Sequence, residues 1–161
     1  MDGMVIWILS TPLNAWMLST PWAWPIAEIL HFMGLSLLLG SMLIIDIRLA
    51  GHWRAMSLNT VHRLLPWTIL GFAINLITGT LFFFGDPERY VANIGFKIKM
   101  LLVVIAGLNA IWFKLRIDPD MASWGPDQDS SSQVKVVAYI SLVCWFGVLL
   151  FGRLIPYIGT G

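Results

Sequence analysis

The run IAEILHFMGLSLLLGSMLIIDI, residues 26–47, decides the fold. A helix crosses the hydrocarbon layer with about 20 mostly apolar residues. This run is long enough and carries few groups that resist burial. Three later runs read the same way: residues 64–85, 96–113 and 134–157. Their continuous apolar character selects helices over barrel strands, which would be about ten residues of strict alternation. The sequence therefore predicts an all-α integral membrane protein, a bundle of four transmembrane helices in one domain spanning residues 25–161.

Composition agrees. Of 161 residues, 58% are hydrophobic and 12% charged, and the mean hydropathy is +0.78. A water-facing surface normally draws on about 25% charged residues, so a soluble enzyme is excluded. Nine Trp and nine Phe exclude a solvated disordered chain. A net charge of +1 offers no footprint for nucleic acid. The single cysteine, Cys144, excludes a disulfide framework and a cysteine-rich metal site.

Residues 1–24 differ from the rest. Their apolar runs, Met4–Leu9 and Ala15–Leu18, are too short to span and are punctuated by Pro12, Pro21 and Pro25. Trp7, Trp16, Trp22 and Trp24 suit the headgroup level, where an amphipathic ring is half wet. The segment is predicted to be an interfacial helix ending in a kink between Pro21 and Pro25. A signal peptide fits less well, since Asp2 stands where basic residues belong.

The loops set orientation. Arg48, Arg54 and Arg63 follow the first span, and Lys114, Arg116 and Lys135 flank the third connection. The opposite side carries Arg89, Lys97, Lys99 and Arg153. The positive-inside rule places both termini in the periplasm and the first and third connections in the cytoplasm. The hydrophilic stretch Asp118–Ser132 is read as a cytoplasmic loop.

Ionisable groups inside a membrane are costly and mark function. One set lies towards the outer face. Glu28 and His31 share a face of the first span, Asn75 and Thr78 lie in the second, Lys97 and Lys99 open the third, and Arg153 lies near the end of the fourth. Gly34, one turn from His31, leaves space for a flat ligand beside the backbone. A neutral imidazole with a small neighbour suits an axial ligand of haem b. Lys99 is a candidate second ligand when its amine is neutral, and Lys97 or Arg153 would pair with propionates. The structural alternatives stay open: His31 bonded to Glu28, Lys99 and Arg153 snorkelling to the interface, and glycines serving helix packing.

A second set, Asp46, Arg48, His52, His62 and Arg63, lies at the cytoplasmic face. There Asp46 is expected to pair with Arg48 or Arg63 and staple the first span to the second. His62 is a further candidate for a second haem or a proton relay. Pro66 is expected in the first turn of the second span. No HExxH, phosphate-binding glycine loop or EF-hand occurs. A transporter is disfavoured, since neither a repeat nor a broken helix is visible.

Several of these residues together carry a resemblance. They are Pro25, Glu28, His31 and Gly34, then Gly40, Asp46-Ile47-Arg48-Leu49, Leu65-Pro66-Trp67, Gly71-Phe72, Thr78-Gly79, Phe96-Lys97-Ile98-Lys99, Gly107-Leu108-Asn109 and Gly152-Arg153-Leu154-Ile155. Over nearly its whole length the chain resembles a family of small four-helix bacterial inner-membrane proteins of unknown function. That likeness implies the fold and the membrane, and no activity. A more distant one is to the four-helix membrane protoporphyrinogen oxidase, thought to bind haem b and pass electrons to the respiratory chain. His31, Arg48, Arg63 and Lys99 are similar to it in order and placement, whereas Asn109 stands where that enzyme tends to have histidine. Copper-resistance protein D and cytochrome b561-like bundles share the general plan, which does not fix function.

The sequence thus predicts a haem b-binding membrane redox protein, with quinone or a membrane or periplasmic redox protein as partner. A non-enzymatic anchor or assembly subunit and a porphyrin-oxidising enzyme are the alternatives. A small interior also leaves room for a homo-oligomer.

Overall fold

A computed structural model describes residues 3–116 and 130–158, the side chains of 58–62 excepted. Among the described residues the chain is helical and has no strand. The helices are α1 (Gly3–Leu9), α2 (Pro12–Ser19), α3 (Ala23–Leu49), α4 (Leu58–Gly85), α5 (Pro87–Ala92), α6 (Ile94–Arg116) and α7 (Ser132–Leu154). Four stretches are long and apolar enough to cross a bilayer: α3, Arg63–Gly85 of α4, α6 and α7. The protein is a multi-pass membrane bundle whose spans fall where the four apolar runs predict them, within a few residues at each end.

Large apolar side chains cover the outside of the bundle, Phe32, Leu76, Ile77 and Val143 among them. Many buried positions are small: Ala27, Gly34, Ser41, Ala106, Ala138, Ser141 and Cys144. This is the pattern of helices packed in lipid, where close backbone approach rather than water exclusion drives association. At the seam of α3 and α4, a Cβ on Gly71 would lie 2.6 Å from the Leu38 nitrogen and 2.7 Å from the Gly34 oxygen. Lower on the seam the Ser41 and Thr68 hydroxyls meet at 2.7 Å.

The second hairpin is α6 on α7. Gly147 admits Leu102, and Asn109 donates to the Val137 carbonyl at 3.0 Å. Ile45, Leu49 and Ala50 of the α3 end pack against Val134, Val137 and Ala138 of α7 and join the hairpins. The helices therefore stand in the order α4, α3, α7, α6 around an arc. Between α4 and α6 the described ring contact is the stack of Phe83 on Phe96 at 5.7 Å, and a cavity lies inside the arc.

Helix ends follow local chemistry. Gly51, at φ 91°, ends α3, with Gly51 N–H on the Arg48 oxygen and His52 N–H on the Ile47 oxygen. Asp86 caps α5 by accepting from the Arg89 N–H, and Pro87 takes the first helical position. Pro66 lies inside α4 rather than in its first turn, because the helix starts at Leu58. Pro25 lies in the first turn of α3 and breaks nothing.

Residues 3–19 form two short helices rather than one. They pack on the bundle end that carries α5, hereafter the cap end. Val5, Ile8 and Met17 are buried, and Asn14 donates to the Phe84 carbonyl at 2.7 Å. The segment thus covers the ends of α4 and α5. The stretch 117–129, which includes most of the expected cytoplasmic loop, lies outside the described residues.

Candidate functional site

The cavity sits in the cap-end half of the bundle. Its volume is about 640 Å³, and α3, α4, α5, α6 and α7 all contribute wall. That lies within the range of small-molecule sites, about 300–1,000 Å³. Aromatic rings form much of the wall, with Phe72 and Trp145 at one end and Phe83, Tyr90 and Phe96 at the other. Five ionisable side chains line this largely apolar space: His31, Lys99, Arg89, Arg153 and Glu28.

Helix geometry sets their depth. With a rise of about 1.5 Å per residue, His31 stands roughly 12 Å along α3 from its cap end and Lys99 roughly 7.5 Å along α6. Arg153 is at the cap end of α7. Polarity thus increases from the interior towards the rim.

His31 is held by α4. Its Nδ1 lies 2.7 Å from the Thr78 hydroxyl, which itself donates to the Ile74 carbonyl at 2.7 Å. Because that proton is committed to the backbone, the threonine oxygen accepts and His31 Nδ1 donates. In the neutral ring this tautomer leaves the lone pair on Nε2, and Nε2 has no hydrogen-bond partner among the described residues. Phe82 fixes the ring edge-on at 5.3 Å. His31 is therefore not bonded to Glu28, which accepts from the Trp24 indole N–H at 3.1 Å.

Two glycines flank the candidate ligands. A Cβ on Gly79 would lie 3.8 Å from His31 Cε1, and one on Gly152 would lie 3.6 Å from Lys99 Nζ. Both glycines line the cavity, and any larger side chain there would fill the space next to the donor atoms. Gly34 sits elsewhere. Ile74 and Asn75 of α4 occupy the room beside it, with Asn75 Nδ2 2.7 Å from where its Cβ would be. The flat ligand expected against Gly34 has no space there, because the helix crossing fills it.

Of the residues picked from sequence, His31, Lys99 and Arg153 share the cavity, while Lys97 is exposed and outside its wall. The sequence reads Arg89 only as a loop charge. It reaches the wall because it lies on α5. Burial pushes the Tyr90 phenol above its ordinary value, with Arg89 opposing, so Tyr90 adds no charge to the rim at neutral pH.

The second polar set lies at the other end. Asp46 is 3% exposed and Arg48 fully buried. Asp46 Oδ2 is buried with no hydrogen-bond partner among the described residues, and Arg48 Nε donates to the Met56 carbonyl at 2.8 Å. Arg63 is exposed, and Asp46 forms no ion pair among the described residues. The expected acid–arginine staple does not form among the described residues. The His62 side chain lies outside the described residues, and His52 is exposed near Trp53. No group of three His, Cys, Asp or Glu side chains placed to hold a metal ion occurs among the described residues. No family model, curated protein or solved structure matches this chain.

Proposed function

We propose that this protein binds haem b in the cap-end cavity and transfers electrons in a bacterial inner membrane, with both termini in the periplasm. The observation that carries the reading is the oriented imidazole. Thr78 fixes the His31 tautomer, so that Nε2 keeps its lone pair on a ring that lines an aromatic-walled cavity. Orientation of a ligating histidine through its other nitrogen is the usual outer-shell device of metal sites.

The wall fits the group in three respects. Gly79 and Gly152 leave space beside His31 and Lys99. Phe82, Phe83 and Trp145 supply flat apolar surface. Cations stand at the rim, where propionates would emerge. In this assignment His31 would hold the iron, with Lys99 the candidate second ligand, and Arg153 would pair with a propionate. Bound haem b would supply a one-electron iron couple. The protein's part is to hold the ring away from water and to set its polarity through Thr78 and the rim cations. A quinol dissolved in the bilayer or a periplasmic redox protein is the proposed partner, and a homo-oligomer is compatible with so small an interior.

Replacement of His31 tests the assignment. His31→Ala should remove the sharp reduced α and Soret bands from a purified protein that still elutes as folded. An unchanged spectrum would take His31 out of the site. A colourless wild-type chain that copurifies with a partner in mild detergent would favour the membrane-subunit alternative.

A further inference from the structure

We propose that Arg89 and Arg153 form a two-arginine clamp at the mouth of the cavity, which selects a planar ligand bearing carboxylates and holds those carboxylates at the membrane surface. The clamp rests on the haem reading for the ring and goes beyond it for the rim. Both side chains line the one cavity, although Arg89 comes from α5 and Arg153 from the far end of the chain on α7.

A built connection holds these two elements together. Asn93, at the junction of α5 and α6, is fully buried. Its Nδ2 donates to the Ile155 carbonyl at 2.8 Å and the Ile158 carbonyl at 2.6 Å. Its Oδ1 accepts from the Phe96 N–H at 3.1 Å. One amide thus ties the residues just after Arg153 to those just after Arg89. On its other side α5 is backed by α1, and its Pro87 is buried. A helix of only six residues is therefore held at both sides, and one consequence is that Arg89 lines the cavity.

The guanidinium groups are not consumed by the protein. Neither forms an ion pair among the described residues. Glu28, the carboxylate on the cavity wall, already accepts from Trp24. Arg153 reaches the Tyr157 hydroxyl through Nη2 at 3.3 Å and lies over the Tyr157 ring at 5.2 Å. Most of the fork of donors on each arginine stays available. Paired N–H donors match a carboxylate in geometry as well as charge, whereas a lysine ammonium matches only the charge. Below the rim the wall is mostly apolar, with His31 and Lys99 deeper in it, so a ligand with one charged edge and one greasy edge is favoured with its charged edge at the rim.

Iron-free protoporphyrin IX and its dimethyl ester separate the clamp from the metal. Quenching of Trp24 and Trp145, which both line the cavity, reports their binding to the full chain in detergent, with protein-free micelles as reference. The diacid should bind wild type at least ~10-fold tighter than the ester, since a hydrogen bond to a charged group is lost with each esterified acid. Arg89→Gln and Arg153→Gln should each weaken the diacid about tenfold by the same argument and leave the ester unchanged. Equal binding of diacid and ester by wild type would overturn the clamp while leaving the ring site standing. A variant that weakens both probes alike would assign that arginine a purely structural role and also overturn it. Failure of both probes to bind wild type would remove the ring site and the clamp together.

Discussion

His31 stands out because its environment serves one nitrogen and leaves the other free. Thr78 is the group that does this, and it was visible in the sequence only as one of several polar residues at the right depth. Its role depends on the rotation of α4 against α3, which no single helix encodes. Thr78→Val keeps shape and removes the acceptor, so His31 loses its orienting partner. Outer-shell losses of this kind cost about 10–100-fold in metal affinity. Haem affinity of Thr78→Val should fall by that order and recover in Thr78→Ser, as measured by titration of apoprotein with haem. Equal affinity in all three proteins would show that the Thr78 contact does not orient a ligand. His31 and Lys99 were legible because ionisable groups stand out against apolar runs. Gly79 and Gly152 were not, since a glycine's neighbour across a helix interface cannot be read from its own helix. Gly34 shows the same limit from the other side: the gap inferred beside it is filled by Ile74 and Asn75.

The element that matters most for the α3–α4 hairpin is the close crossing at Gly71. Atoms of the α3 backbone occupy the place of any added Cβ, and backbone cannot rotate away as a side chain tip can. Gly71→Ala should therefore separate the helices and destabilise the protein by about 1–3 kcal/mol, the usual cost of overpacking. Gly40 is the control. Nothing lies within 4 Å of its Cβ position, so Gly40→Ala should be neutral or gain up to about 1 kcal/mol of helix propensity. Thermal unfolding in detergent distinguishes them: a lower midpoint for the first and an equal or higher one for the second. Equal midpoints would deny that the crossing is tight. The four spans were legible because each is a long apolar run. The helix α5 was not, since PERYVA is short, polar and bounded by turn residues. Without that helix, Arg89 reads as a loop charge. The cap-end packing of α1 and α2 was missed for a related reason: tryptophans and prolines describe an interfacial segment equally well whether it lies on lipid or on protein.

As a whole, the molecule divides its polar groups between two ends of one arc. The loop end is closed by the cluster around Ile45 and Val137, with Asp46 and Ser141 beneath it. The cap end stays open as an aromatic cavity with a cationic rim. The general plan followed from hydropathy, because the bilayer dictates span length and the need to pair backbone groups. The order of helices around the arc did not, since antiparallel connections allow several orders of similar cost. It is this order that places α4 and α6 apart and opens the cavity between them. The reading of that cavity stands or falls on whether the protein holds haem. The most direct measurement is an absorption spectrum of detergent-purified wild-type protein, oxidised and dithionite-reduced, with a pyridine haemochrome assay on the same sample. Sharp reduced α and Soret bands at near one haem per chain are expected. A featureless spectrum from protein expressed with ample haem would contradict the haem reading and leave the cavity's polar groups as contacts within a membrane subunit.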